Sequence, residues 1–206
     1  MAAASQTFPT RMYIDGAWRE GTGGKTLSVI NPADESVVAE VAWAEGDEPR
    51  KAIEAAARAF PAWRAIWAYD RAKVLKKPAE LIRERADVMA RAMTMEQGKP
   101  LPEAKAETLA TADTYEWFAE EGKRAYGRII PPTNMMKRYY AIKHPVGVVG
   151  TITPWNFPPA LASRKIGAAL AAGCTVVSRP AEQTPITLIL QFECLVEAGL
   201  PPGVAN

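Results

Sequence analysis

Two short runs of apolar, β-branched residues, each followed by a helical pattern, constrain the fold of this chain more than any other feature. The runs cover residues 146–153 (VGVVGTIT) and 174–178 (CTVVS), and helical stretches follow them at 160–172 and 186–198. Buried strands that are joined by helices pair in parallel and are covered by helices on both faces. We therefore predict an α/β fold in which residues 146–206 form part of a doubly wound parallel sheet.

The N-terminal residues predict a small β element ahead of this sheet. Alternating apolar residues around Asp15-Gly16 predict a hairpin at 12–19. Short strands are expected at 27–30 and 36–42, separated by a turn. A further pair of β-rich runs at 128–144 flanks a Pro-Pro-Thr-Asn turn, which predicts an extended hairpin or arm.

A layer of helices is predicted between these β elements. Apolar residues recur at helical spacing over 47–67, 70–97 and 102–125. Pro78 is expected to kink or restart the second helix because it removes a backbone donor and clashes with the preceding turn. Gly98 is expected to end that helix. Three tryptophans of this region are expected in the core, namely Trp63, Trp67 and Trp117.

Composition and charge exclude several classes of function. The chain has 206 residues with 25 Lys plus Arg and 23 Asp plus Glu, and this net charge of +2 gives no electrostatic argument for a nucleic-acid partner. No run of about 18 apolar residues occurs, so we expect no membrane span. The first residues lack the pattern of a secretory signal, so we expect a cytoplasmic location. One histidine, His144, and two cysteines, Cys174 and Cys194, give no basis for a metal site or a disulfide framework.

Polar residues follow both predicted parallel strands at their carboxyl ends, in 151–156 and 178–182. Ligands of such sheets bind beyond this edge, so we predict a binding site there. Asn156 lies between Pro154 and Pro158, and its amide N–H could stabilise a developing oxyanion, or it could simply be a turn residue. Neither GxGxxG nor GxxxxGK[ST] occurs, which taken alone argues against the common nucleotide sites.

Several motifs together resemble those of the aldehyde dehydrogenase superfamily, and within it the succinate-semialdehyde dehydrogenase branch. They are ITPWNFP, ALAAGCTVV, RPAEQTP, MEQGKPLPEA and YEWFAEEGKRAYG. The similarity runs nearly end to end, and the motifs occur in the order of the family. It implies a doubly wound, Rossmann-like coenzyme domain without GxGxxG. It also implies oxidation of an aldehyde substrate: a cysteine thiolate adds to the aldehyde, hydride passes to NAD or NADP, and water activated by a glutamate hydrolyses the thioester.

The resemblance assigns roles to residues at the two strand ends. Asn156 corresponds to the oxyanion amide, and Glu182 to the acidic residue that accepts hydrogen bonds from the ribose hydroxyls. Arg179 stands where the family usually has lysine, and it keeps the positive charge with a different geometry. Glu182 would repel a 2′-phosphate, which favours NAD, whereas pairing of Arg179 with the phosphate leaves NADP possible. The implied coenzyme-binding residues are Ile152, Thr153, Pro154, Trp155, Arg179, Ala181 and Glu182.

The substrate class depends on Arg164, which lies in the predicted helix after the oxyanion loop. Its position corresponds to the arginine that holds the distal carboxylate of the substrate in the semialdehyde branch. This implies succinate semialdehyde or a similar ω-carboxy aldehyde. If Arg164 is instead a solvated or structural residue, the substrate would be an uncharged aldehyde.

The resemblance also implies how the chain is organised. Residues 1–127 and 146–206 correspond to a coenzyme-binding domain that is incomplete, and 128–145 to an oligomerisation arm that would form a homodimer or homotetramer. Neither Cys174 nor Cys194 matches the nucleophile of the family, which lies, with the glutamate base and the catalytic domain, beyond the matching part. We therefore expect this chain to be inactive alone. A module that only binds a partner is the alternative from a different class of function.

Overall fold

The structure is a computed structural model that describes residues 7–206. Residues 1–6, which belong to the segment considered above for a secretory signal, lie outside the described part. Its strands are β1 (Met12–Ile14), β2 (Ala17–Arg19), β3 (Thr26–Ile30), β4 (Val37–Ala42), β5 (Arg128–Ile130), β6 (Tyr139–Ala141), β7 (Val148–Ile152) and β8 (Thr175–Arg179). Its α-helices are α1 (Asp47–Ala65), α2 (Ala68–Glu84), α3 (Ala86–Gln97), α4 (Leu101–Glu121), α5 (Pro158–Ala172) and α6 (Ile186–Glu197).

Strands β7 and β8 form the parallel pair that the sequence predicts, with α5 as the crossover between them. The register runs from Val148 opposite Thr175 to Ile152 opposite Arg179. On the other side of β8, Ala205 forms an isolated parallel bridge with Val176. Short apolar strands of this kind are stable only when covered, and α1, α5 and α6 supply buried side chains around them.

The N-terminal strands form two antiparallel pairs, as predicted. β1 and β2 are joined across Asp15 and Gly16, whose φ values of 53° and 81° give the left-handed turn that suits a tight hairpin. β3 pairs with β4 in the same manner. The first hairpin packs on α6, since the rings of Tyr13 and Phe192 lie 6.5 Å apart between centroids.

The helices form a packed layer in which α4 lies against α2, α3 and α5. The predicted restart at Pro78 is wrong: α2 continues through this residue and ends at Glu84, and Arg85 separates it from α3. Pro78 is itself buried and is flanked by Leu75 and Ile82, which are fully buried. We attribute the continuity to this packing, which outweighs the loss of one helical hydrogen bond. Gly98 ends α3 in the left-handed conformation, as predicted.

The prediction that three tryptophans lie in the core is wrong for two of them. Trp63 is buried, and its indole N–H donates to the main-chain oxygen of Leu170 at 3.2 Å. Trp67 lies at the corner between α1 and α2, and Trp117 lies on the outer face of α4, and both are mostly exposed. Residues 128–144 contain the expected hairpin, in which β5 and β6 are antiparallel. In residues 7–206 no helix has the length and apolar character needed to cross a membrane.

Candidate functional site

The carboxyl ends of β7 and β8 meet at one edge, which brings the two predicted site loops together. Ile152 lies opposite Arg179 at the last paired position. Beyond it, the backbone N–H of Thr153 donates to the main-chain oxygen of Arg179 at 3.3 Å. One position earlier, the hydroxyl of Thr151 donates to Ser178 Oγ at 2.7 Å. The loops that follow, 153–157 and 180–185, therefore start side by side.

The first loop presents a polar amide to solvent between apolar neighbours. Thr153 is buried and anchors the loop to the sheet, whereas Pro154, Trp155, Asn156 and Phe157 are exposed. Within residues 7–206 the side-chain amide of Asn156 has no hydrogen-bond partner. A donor that is fixed by its backbone and has no protein partner is available to a ligand.

Two charged side chains from outside the loop hold its backbone. Lys99, between α3 and α4, donates from Nζ to the main-chain oxygen of Asn156 at 3.0 Å and lies 4.0 Å from the ring centroid of Phe157. It also pairs with Glu107 on α4, and both side chains are more than nine-tenths buried. Glu107 Oε1 accepts from the backbone N–H of Ala160 at 3.5 Å. Burial raises the pKa of Glu107, and the hydrogen bond from Lys99 opposes this.

The second loop carries the pair predicted to bind the ribose. Arg179 Nη2 lies 2.6 Å from Glu182 Oε1, and both side chains are about half exposed. Ala181 between them is buried. These residues line a cavity of about 320 Å³ together with Tyr13 and Phe192. The charges of the pair offset each other: a phosphate would compete with Glu182 for Arg179, whereas a hydroxyl would donate to Glu182.

Arg164 lies on α5, two turns after Asn156, and is exposed. No carboxylate of the described part lies within 4.0 Å of its guanidinium, so its charge is not used in a structural ion pair there. Its positive charge still lowers the pKa of Glu107, although less than Lys99 does. An exposed arginine with this freedom is able to bind an anionic group.

A buried glutamate that the sequence analysis missed fixes the end of the second loop. Glu96, near the end of α3, accepts from the backbone N–H groups of Ile186 at 2.7 Å and Thr187 at 2.9 Å, and from the Thr187 hydroxyl. It thus satisfies the free donors at the start of α6, where a negative charge is also favoured. Burial raises its pKa to about 7, against the lowering effect of these donors.

The cysteines do not have the environment of a nucleophile. Cys174 and Cys194 are both free and buried. Burial raises the pKa of Cys194 to about 11, so its thiol stays protonated at neutral pH. Across residues 7–206 there is no group of three His, Cys, Asp or Glu side chains that could hold a metal ion.

A parallel strand pair with a helical crossover defines an α/β domain, and ligands of this class bind beyond the carboxyl ends of the strands. Residues 18–206 match the model described as "Aldehyde dehydrogenase family", and the chain belongs to that family. It is 48% identical over 202 residues to the succinate-semialdehyde dehydrogenase [NADP(+)] of Escherichia coli, covering 98% of this chain and 42% of that protein. It is 49% identical over 202 residues to a glutarate-semialdehyde dehydrogenase of Pseudomonas putida, with the same coverage.

A solved structure supports the same assignment. The betaine aldehyde dehydrogenase of Staphylococcus aureus in complex with NAD+ superposes with a TM-score of 0.93 at 37% identity, covering 97% of this chain and 40% of that one. The chain therefore spans about two fifths of the length of the relatives it matches. The resemblance found in the sequence, including its semialdehyde dehydrogenase branch, is confirmed at this level.

Proposed function

We propose that this chain supplies the coenzyme-binding side and the oxyanion amide of an NAD(P)-dependent dehydrogenase that oxidises an ω-carboxy aldehyde to the acid. The observation that carries the proposal is the exposed, unpartnered amide of Asn156 at the carboxyl edge of the parallel strands. The relatives named for succinate and glutarate semialdehyde support the same substrate class.

In this proposal, the side-chain amide of Asn156 donates a hydrogen bond to the aldehyde oxygen. Its side-chain N–H groups carry no charge and do not titrate, so they remain donors as negative charge develops on that oxygen. A donor of this type contributes about 3–4 kcal/mol to lowering a barrier when it is held in place beforehand. The backbone on either side of Asn156 is anchored at Thr153 and, in the first turn of α5, at Ala160, which fixes the position from which the amide projects.

The residues at the strand ends suit a dinucleotide coenzyme, which supplies a hydride acceptor when bound. Ile152 and Trp155 expose apolar surface beside the polar loop, and Thr153 and Pro154 fix the backbone between them. Glu182 accepts hydrogen bonds from ribose hydroxyls, and Arg179 orients Glu182 through their ion pair. A 2′-phosphate would have to displace Glu182 from Arg179, so NAD is favoured and NADP is the alternative.

Arg164 binds the distal carboxylate of the substrate in this proposal. Its guanidinium has no carboxylate partner in the described part of the chain, and Arg–carboxylate pairs are strong and directional. Both cysteines of these 206 residues are buried, so neither suits the role of the nucleophile. We therefore propose that this chain alone gives no turnover.

The test of the proposal is Asn156→Ala in the polypeptide expressed from its full reading frame. We expect kcat to fall by roughly 10²–10³-fold with a smaller change in KM, because the lost donor acts mainly in the transition state. Asn31→Ala is the control, since it also removes an asparagine side chain from a turn, in this case that of the β3–β4 connection. An unchanged kcat in Asn156→Ala would reject the oxyanion role.

A further inference from the structure

Lys99 occupies a position from which it controls the backbone next to Asn156. Three contacts converge on its ammonium group: the main-chain oxygen of Asn156, the carboxylate of Glu107 and the face of the Phe157 ring. Lys99 lies 57 residues before Asn156 in the chain and belongs to a different part of the fold. The contact between Lys99 and the loop therefore depends on tertiary packing and not on the local structure of the loop.

The backbone of Lys99 is itself constrained on both sides. Gly98 adopts a left-handed φ of 82° at the end of α3, and Pro100, whose ring fixes its own φ, precedes α4. This short connection fixes the backbone that carries the side chain, so only the rotamers of Lys99 itself are ordered when it binds. Its burial also shields the ammonium from water, which strengthens its interaction with the carbonyl dipole.

The partner of Lys99 holds the far end of the same loop. Glu107 accepts the backbone N–H of Ala160 in the first turn of α5, while Lys99 binds the carbonyl of Asn156 just before that helix. The Lys99–Glu107 ion pair thus lies across the junction between the loop and α5 and contacts the backbone on both sides of it. If either group is removed, the junction keeps the Thr153 anchor but loses this second support.

We infer that Lys99, supported by Glu107, is the positioning residue that holds the Asn156 amide in its productive orientation. This inference rests on the proposed function of Asn156. Lys99 does not need to touch the aldehyde or the coenzyme, because it acts through the backbone of residues 156 and 157. Displacement of a catalytic group by about 1 Å is enough to lower a rate by about 10²-fold, so loss of this support is expected to reduce kcat.

The kinetic test uses Lys99→Met, Asn156→Ala and the combined variant in the polypeptide from the full reading frame. Lys99→Met is expected to lower kcat by about ten- to a hundredfold with smaller changes in the KM values. In the Asn156→Ala background the same change is expected to have little further effect on kcat. Equal losses in both backgrounds would overturn the inference, because a purely structural role would be independent of Asn156.

Two further variants separate positioning from a general loss of folding. Lys99→Met combined with Glu107→Gln removes both charges, so no unpaired carboxylate remains buried, and the amide oxygen can still accept from Ala160. Lys105→Met is the matched control, because Lys105, elsewhere on α4, forms an exposed ion pair with Asp87 of α3. We expect the double variant to lower kcat and Lys105→Met to leave it unchanged. A normal kcat in the double variant would overturn the inference.

A measurement on the 206-residue chain distinguishes failure of the inference from failure of the proposed function. The Leu161 N–H donates to the Phe157 oxygen at 3.0 Å, and its hydrogen exchange reports on the loop junction. We expect faster exchange at Ala160 and Leu161 in the double variant than in Lys105→Met. If Asn156→Ala keeps its full kcat, the proposed function fails. Even in that case, faster hydrogen exchange in the double variant would support positioning of the loop by Lys99, and unchanged exchange would overturn the inference.

Discussion

Arg164 is the side chain on which the choice of substrate depends. Replacement by alanine removes a charged partner that is worth about 1.5–3 kcal/mol for a carboxylate, which corresponds to a KM increase of about ten- to a hundredfold. We expect this increase with succinate semialdehyde and not with an uncharged aliphatic aldehyde of similar length. Arg91→Ala, at an exposed position on α3, serves as the control. Equal effects on the two aldehydes would favour the alternative in which the substrate is uncharged.

Glu96 is a second residue that carries a prediction, because its protonation links folding stability to pH. Because burial raises its folded-state pKa from 4.5 to about 7, the folded state binds the proton more tightly than the unfolded state does. Its contribution to the free energy of unfolding is therefore full below the ordinary pKa and is lost as the pH rises toward 7. In Glu96→Gln this dependence is absent, although the variant also loses one acceptor for the start of α6.

Urea unfolding of wild type and Glu96→Gln at several pH values between about 4.5 and 7.5 measures this effect. The wild type is expected to lose more free energy of unfolding over this range than the variant. Other buried carboxylates, such as Glu107, contribute equally to both proteins, so the difference reports on Glu96. If the free energy of unfolding depended on pH equally in the two proteins, the donors at the start of α6 would compensate the desolvation of Glu96 completely.

At the level of elements, the sequence predicted most of the fold because its signals are local. Strand β7, helix α5 and strand β8 follow from apolar runs and from Gly173, whose left-handed conformation ends α5. Placement of Asn156 and Glu182 at one edge follows from the parallel order alone. The restart expected at Pro78 was wrong because packing of the flanking side chains decides whether a helix continues, and periodicity does not report that packing.

The residues that the sequence did not reveal act across long separations. Glu96 binds the start of α6, about 90 residues away, and Lys99 binds Asn156 across 57 residues. Each lies in the segment MEQGKPLPEA, which supported the family resemblance but has no local feature that predicts these contacts. Trp117 shows the same limit, since helical periodicity cannot tell which apolar side chain of α4 faces outward. Such contacts become visible only when the elements are packed.

At the scale of the whole molecule, the hairpin formed by β5 and β6 is the surface best suited to contact another protein chain. Isolated two-stranded hairpins are marginally stable in water, and this one contributes no side chain to the buried core. Eight large apolar side chains of residues 128–146 are exposed, namely Ile129, Ile130, Met135, Met136, Tyr139, Tyr140, Ile142 and Val146. A patch of this composition is typical of an interface, and we propose that it joins copies of this protein.

Ile129 and Tyr140 allow this proposal to be tested, because they lie directly opposite each other on one face of the hairpin. Ile129→Glu combined with Tyr140→Lys makes the face polar, while the opposite charges preserve the cross-strand pair. We expect this variant to sediment as a smaller species than the wild type in analytical ultracentrifugation, with little change in its thermal unfolding. Ile53→Glu places the same kind of charge on an exposed apolar position of α1 and is expected to leave the mass unchanged. An unchanged mass in the hairpin variant would mean that assembly, if it occurs, uses another surface, and the arm would lose its proposed role.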